Sequence, residues 1–277
     1  MLQKRLHKLL IISVMMVLSI LVMAFLFIDH GDDSLNHATY TTMNQEIDLC
    51  TQRISSQKHT DLVLLNTLAK SLSNNADIDS SLVEMKKENA FTSIVYIDSQ
   101  QGMHFANPSV HVEYSELSKV FKNKVNSAFS GKKSAFIRKH NVITKEFVIT
   151  YIVPVYDSSK NVTGVLSASS SLKPYADLMK KSIYGGNLYI TDLKDFYGIQ
   201  KDEESKDVLA VLKGIDLSEN INGLIGVNGD EHGIVVKEMG FDGWYLCYVN
   251  SAKLLNNPLY VMSRANNYVL MVFVVVV

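Results

Sequence analysis

The sequence predicts an α+β chain. An apolar anchor and a long stalk helix come first, then two units with antiparallel sheets, then the start of a second apolar segment. Three observations predict this. Leu9 to Ile28 is a 20-residue run whose only polar members are Ser13 and Ser19. Residues 34 to about 72 carry an apolar stripe at spacings of three and four. Beyond residue 90 the pattern turns repeatedly to period two, broken by turn-forming clusters.

The anchor comes first. Twenty helical residues at ~1.5 Å each span ~30 Å, the thickness of a bilayer core. A cleaved leader would have a shorter apolar core and a small-x-small site behind it. Met23-Ala24-Phe25-Leu26-Phe27 offers no such site. Lys4, Arg5 and Lys8 precede the run, and Asp29, Asp32 and Asp33 follow it. Positive charge stays in the cytoplasm, so residues 1–8 are expected as a cytoplasmic tail and 9–28 as a transmembrane helix. At the other end, Val269 to Val277 are nine apolar residues in a row, about half a bilayer in a helix. The expectation is an exit segment with a truncated second transmembrane helix over 255–277, at the front of a longer protein. Residues 29–267 would then be extracytoplasmic on a cell-membrane protein.

Composition narrows the classes. Among 277 residues, Lys plus Arg is 27 and Asp plus Glu is 28, a net charge of −1. A strongly basic nucleic-acid binder is excluded, and so is an acidic disordered chain. Hydrophobic residues make up 47%, with only 4 Pro, which points to packed domains. Two Cys are too few for a disulfide scaffold.

The stalk, 29–72, has Met43, Ile47, Cys50, Ile54, Leu62, Leu65, Leu68 and Leu72 on one stripe, with Asp61 beside Leu62. That stripe faces a core, and self-association of two such helices is a further reading of it. A break is expected near Ser73-Asn74-Asn75. A short helix over 78–88 follows, then a strand at Ser93 to Asp98 turning through Ser99-Gln100-Gln101-Gly102, and a return over Met103 to Asn107. Ser115 to Phe129 reads as a helix stopped by Gly131. Strands follow at 134–138, 147–155 and 163–169. A weaker echo begins at Asn187 to Asp192, with strands at 221–227, 233–238 and 244–249. The expected units are 73–183 and 184–254.

No catalytic set emerges. Gly229-Asp230-Glu231-His232-Gly233 places carboxylates beside a His, but between two short strands it reads as a hairpin tip. His104 and His111 have no third ligand at a recognisable spacing. No nucleophile elbow, phosphate loop or HExxH is present. Neither metal nor cofactor is expected.

An anchor leads into a long helix, then Ile94-Val95-Tyr96-Ile97-Asp98-Ser99-Gln100-Gln101-Gly102, Val153-Pro154-Val155-Tyr156-Asp157, Gly164-Val165-Leu166, and Gly243-Trp244-Tyr245-Leu246 before a second apolar run. This combination resembles the double Cache (dCache) extracytoplasmic sensor module of bacterial transmembrane receptors. The resemblance implies a membrane-distal and a membrane-proximal PAS-like domain on one helix. It also implies a homodimer and a cytoplasmic output beyond the second span: a diguanylate cyclase, a histidine kinase or a chemotaxis domain. The implied role is binding a small extracellular molecule in the distal domain. A membrane-anchored accessory protein with a protein-binding ectodomain is the alternative. Amino-acid-sensing members carry an Asp on the strand after Gly-Val-Leu. Here the residues are Ser167-Ala168-Ser169-Ser170, which puts that ligand class in doubt. The same architecture brings Cys247 beside the Cys50 part of the helix, so a disulfide and two separate buried thiols are both open.

In the resembled fold the ligand lies between the distal sheet and the loops and helix covering it. Period two puts Phe147, Ile149, Tyr151 and Val153 on one face, and Phe136 with Arg138 on one face of the preceding strand. The candidate ligand-binding residues are Tyr96, His104, Tyr114, Arg138 and Tyr151. Arg138 would pair with a small anion or a carboxylate, which a guanidinium can bond bidentately.

Overall fold

The computed structural model describes residues 2–72, 77–139, 147–172, 187–194, 196–197, 203–214, 221–227 and 230–251. Helix α1 runs unbroken over Leu2–Leu72, so the anchor run and the stalk are one helix. Among the described residues no helix is long and apolar enough to cross a membrane. Side chains are described for only part of the 9–28 run, and there Val14, Met15, Met16, Leu18 and Val22 are more than half exposed. The expected break at 73–75 and the second apolar segment over 255–277 lie outside the described residues.

Helix α2 (Ile78–Glu88) starts where Asp77 caps it, its carboxylate accepting the Ser80 amide at 3.1 Å and the Ser80 hydroxyl at 2.7 Å. The first sheet contains β1 (Ser93–Asp98), β2 (Met103–Phe105), β3 (Ser134–Arg138), β4 (Val148–Tyr156) and β5 (Val162–Ser171), in the order β2-β1-β5-β4-β3, all antiparallel. Helix α3 (Lys119–Phe129) crosses between β2 and β3. It starts later than the sequence suggests. Tyr114–Glu116 form one 3-10 turn, and the Ser118 hydroxyl then caps α3 by accepting the Phe121 amide at 3.3 Å. Phe121, Val125 and Ala128 form its buried row, and Val120, off that row, is 60% exposed.

The second sheet repeats the first. It holds β6 (Asn187–Thr191), β7 (Phe196–Tyr197), β8 (Ile221–Val227), β9 (Asp230–Phe241) and β10 (Trp244–Ser251), ordered β7-β6-β10-β9-β8. Helix α4 (Glu203–Leu212), absent from the sequence reading, covers one face with Val208, Leu209 and Leu212. Val227 of β8 pairs with Asp230 of β9, so residues 230–233 of the expected hairpin tip lie within β9. His232 is therefore a buried strand residue.

Helix α1 packs against both sheets, touching β4 and β5 of the first and β9 and β10 of the second. Met43, Ile47, Ile54, Leu65 and Leu72 are almost wholly buried in this shared core. The stripe is thus intrachain core, and a seam between two copies cannot use those residues. Polar ties fix the helix in register. Lys237 meets Asp48 at 2.6 Å, and Lys58 donates to the Gly240 carbonyl at 2.7 Å. Buried Asp61 accepts from Gln57 at 2.7 Å and from Ser170 at 3.1 Å. Cys50 and Cys247 are both free thiols. Cys247 lies on the sheet face turned to α4, while Cys50 packs against the core formed with α1, so the two do not meet.

Candidate functional site

The first sheet has two covered faces, and strand alternation decides which side chains reach each. One face meets α1 and α2. The other lies under α3 and the segment leading into it, where Val95, Ile97, Ile152 and Val165 pack against Leu117, Phe121 and Val125. A small cavity of about 20 Å³ remains on this second face. Ser93 and Val95 line it from β1, Met103 and Phe105 from β2, Ser167 and Ser169 from β5, and Arg138 from β3. Val112, Leu117 and Phe121 form its roof. That volume holds about one water, so the cavity is closed in this conformation. Ser169 is buried and shares a 3.1 Å hydrogen bond with Thr150 of β4.

Arg138 is the charge in this cavity. Its guanidinium stacks over the Phe121 ring at 4.9 Å. Among the described residues it makes no hydrogen bond and no ion pair. Burial pushes its pKa below the ordinary value, yet guanidinium stays charged at any working pH. No carboxylate lines the cavity among the described residues. A half-buried cation here has only an aromatic face and nearby hydroxyls for company.

The five residues singled out from sequence do not converge. Arg138 alone lines the cavity. Tyr114 sits in the 3-10 turn beside the roof, its hydroxyl donating to Asn126 at 3.4 Å and its ring under the Lys122 ammonium. Tyr96 and Tyr151 project from the opposite face of the sheet, into the core shared with α1. The register explains it. Tyr151 stands opposite Ala135 and Ala168, whereas Arg138 belongs with the face that carries Thr150 and Ser169. Tyr151 is fully buried and packs beside Phe91. Tyr96 donates to the Thr163 carbonyl at 3.4 Å, and burial first of all raises its pKa. His104, opposite Tyr96 on β2, follows it to that face and meets Asp79 at 3.0 Å and Asp98 at 3.7 Å.

His104 instead borders an open groove of about 640 Å³ between α2 and β2, with Asp79, Glu84, Lys87 and His111. Among the described residues no cluster of His, Cys, Asp or Glu is arranged to hold a metal ion. The groove is larger than the Arg138 cavity but opens broadly to solvent, and its His104 already meets Asp79. The sequence reading missed Ser93, Ser167 and Ser169. Period two around Arg138 could have assigned the serines to its face, had the pairing of β4 with β5 been known.

No protein-family model matches this chain, and no curated protein matches it. Solved structures do. The sensory domain of the Campylobacter jejuni chemoreceptor Tlp3 superposes with a TM-score of 0.62 at 15% identity, covering 81% of this chain and 98% of that one. The Tlp3 ligand-binding domain in complex with 4-methylisoleucine gives 0.63 at 16%, covering 82% and 96%. The ligand-binding domain of the Pseudomonas fluorescens chemoreceptor CtaA, in complex with L-isoleucine, gives 0.62 at 12%, covering 82% and 98%. The chain thus has the fold of Cache-type chemoreceptor sensory domains, two sheets strung on one long helix.

Proposed function

We propose that this chain is the extracytoplasmic input module of a membrane receptor, and that the cavity under α3 takes a small ligand bearing a carboxylate or another anionic group. The observation that carries the reading is the Arg138 guanidinium, half-buried in that cavity and without a hydrogen-bonding or charged partner among the described residues. A desolvated cation of this kind gains most from an anion that can bond it directly. Ser93, Ser167 and Ser169 supply hydroxyls for the rest of a polar ligand. Val95, Phe105, Leu117 and Phe121 give it an apolar wall.

The fold supports the sensory reading, since domains of this shape crystallise with isoleucine and its analogues. The lining departs from what holding an amine requires, because the strand that would offer a carboxylate offers Ser167 and Ser169. An anion without an ammonium group is the better fit. Entry requires the roof, residues 106–118, to lift from the sheet. Its backbone is tied by few long-range bonds, such as the Ala106 amide to the Ile94 carbonyl at 3.1 Å. In this reading the module is anchored by the 9–28 run, acts as a homodimer and drives a cytoplasmic output such as a diguanylate cyclase.

Thermal unfolding of the full chain in detergent, against a panel of small mono- and dicarboxylates and amino acids, tests the site. A carboxylate should raise the wild-type midpoint with concentration, as ligand linkage requires. Arg138→Ala should weaken binding ~10- to 100-fold, the worth of one or two charge-assisted hydrogen bonds. Equal stabilisation of wild type and variant by the same compound would remove Arg138 from the site.

A further inference from the structure

The last rung of the β3–β4 ladder pairs Arg138 with Val148. The residues just past it, Lys139 and Phe147, both leave the first unit and reach the second. Lys139 forms an ion pair with Asp192, which follows β6, and its ammonium stands 5.2 Å over the ring of Tyr197 on β7. Phe147 stacks on the same Tyr197 ring, centroids 4.7 Å apart at 15°. It also lies 5.4 Å from Trp244 at the start of β10, which Tyr197 meets at the same distance. The ion pair is not a surface ornament: the Asp192 side chain is only 13% exposed.

Neighbouring strand residues point to opposite sides. Arg138 therefore enters the cavity while Lys139 engages the other unit, and one peptide bond separates the two. A shift of β3 that brings Arg138 onto an anion must move Lys139 against Asp192 and Tyr197. We propose that Lys139 and Phe147 form a latch that transmits the state of the Arg138 cavity to the second unit through its Asp192–Tyr197–Trp244 face. This route is separate from α1. It rests on the cavity reading above for the identity of the input, but the mechanical link stands on the contacts themselves.

Trp244 is the only tryptophan in the chain and is 8% exposed, so acrylamide quenching of its fluorescence reads the latch directly. In the full-length protein, Lys139→Ala and Asp192→Asn should each raise the open fraction seen by the quencher about two- to fivefold, the range for a partly exposed ion pair. Arg138→Ala should change quenching in the wild-type background and lose that effect when combined with Lys139→Ala. An Arg138→Ala effect that is nil, or the same in both backgrounds, overturns the latch. A second arm uses the carboxylates of the thermal panel. Any that stabilises the wild type should also alter Trp244 quenching. In Lys139→Ala, which leaves the cavity untouched, it should still stabilise but no longer reach Trp244. Stabilisation without a Trp244 response sinks the latch and leaves the cavity reading intact. If no carboxylate stabilises the protein, the cavity reading falls and the Arg138–Lys139 double-mutant comparison alone decides the latch.

Discussion

At the scale of single residues, two positions are set by the atoms immediately around them. Gly164, in the Gly-Val-Leu stretch, lies directly against the Tyr96 phenol. A Cβ built on it would come within 2.5 Å of three atoms of that ring and hydroxyl. The ring is rigid and buried against α1, so it cannot swing away as a flexible side-chain end would. Gly164→Ala should therefore destabilise the fold by ~1–3 kcal/mol, the usual cost of overpacking. Urea unfolding measures it, and in a Tyr96→Leu background most of the loss should vanish. A cost independent of residue 96 would show that the clash is not its cause. Asp77 is fixed by capping. The Ser80 hydroxyl first, and then the Ser80 amide, hold its carboxyl below the ordinary 3.8. A depressed carboxyl contributes stability that is fully present above its unfolded value and lost as pH falls through the folded one. Asp77→Asn should keep a capping side chain but weaken this contribution to acid sensitivity. Hydrogen exchange in α2, followed from neutral pH to below 3.8, should show wild type losing protection that the variant never had. Parallel profiles would assign the acid limb to other groups.

At the scale of elements, much was legible because local signals agreed. The short helix after the stalk was expected at 78–88 and forms there, since Asp77 stands as its cap and Leu82 and Met85 face the core. The strand at 93–98 and its turn are likewise local, with Asp98 accepting the Gln100 and Gly102 amides at 2.8 Å each. Face assignment was not local. Alternation puts Tyr151 and Arg138 each in a regular row, but only the pairing of β3 with β4 says that the rows lie on opposite sides. Tyr96, His104 and Tyr151 lie on the sheet face opposite Arg138 for that reason. Helix α4 was missed because its apolar positions, Val208, Leu209 and Leu212, are few and its flanks carry weak stop signals. The stripe on α1 was legible, but a stripe alone does not say whether it meets a sheet or another helix. Burial now separates the possibilities. Leu65→Ala should cost ~2–5 kcal/mol as a core truncation. Leu49→Ala, at a position 55% exposed, should stay within ~0.5 kcal/mol. Chemical denaturation of the two variants measures the contrast, and equal small losses would deny that the 43–72 stripe is core.

At the scale of the whole molecule, the two units share one strand order, so the echo seen around Tyr96 and Tyr189 reflects a repeated layout. Both Tyr residues lie on the first strand of their sheets, but Tyr96 faces α1 while Tyr189 faces α4, so the layout repeats while the two aligned side chains lie on opposite faces. The second unit was harder to read at β9, which runs twelve residues, Asp230–Phe241, where local alternation suggested a strand over 233–238. What the layout does for the cell depends on which side of a membrane it stands. In the proposed reading, the charge asymmetry around 9–28 puts the N-terminus inside and both sheets outside, and thiol labelling tests this. Ser99 sits in the exposed turn after β1, far along the chain from the apolar run, and its side chain is open to solvent. In a Cys50→Ser background, which removes the half-buried native thiol, Ser99→Cys should react with an impermeant thiol reagent in intact cells. Cys247 is fully buried, and burial raises its pKa strongly, so it should stay silent in the folded protein. Lys4→Cys in the same background should be labelled only after the cells are opened. Labelling at Lys4→Cys with none at Ser99→Cys in intact cells would invert the topology. The ligand proposed for the Arg138 cavity would then have to be a cytoplasmic one.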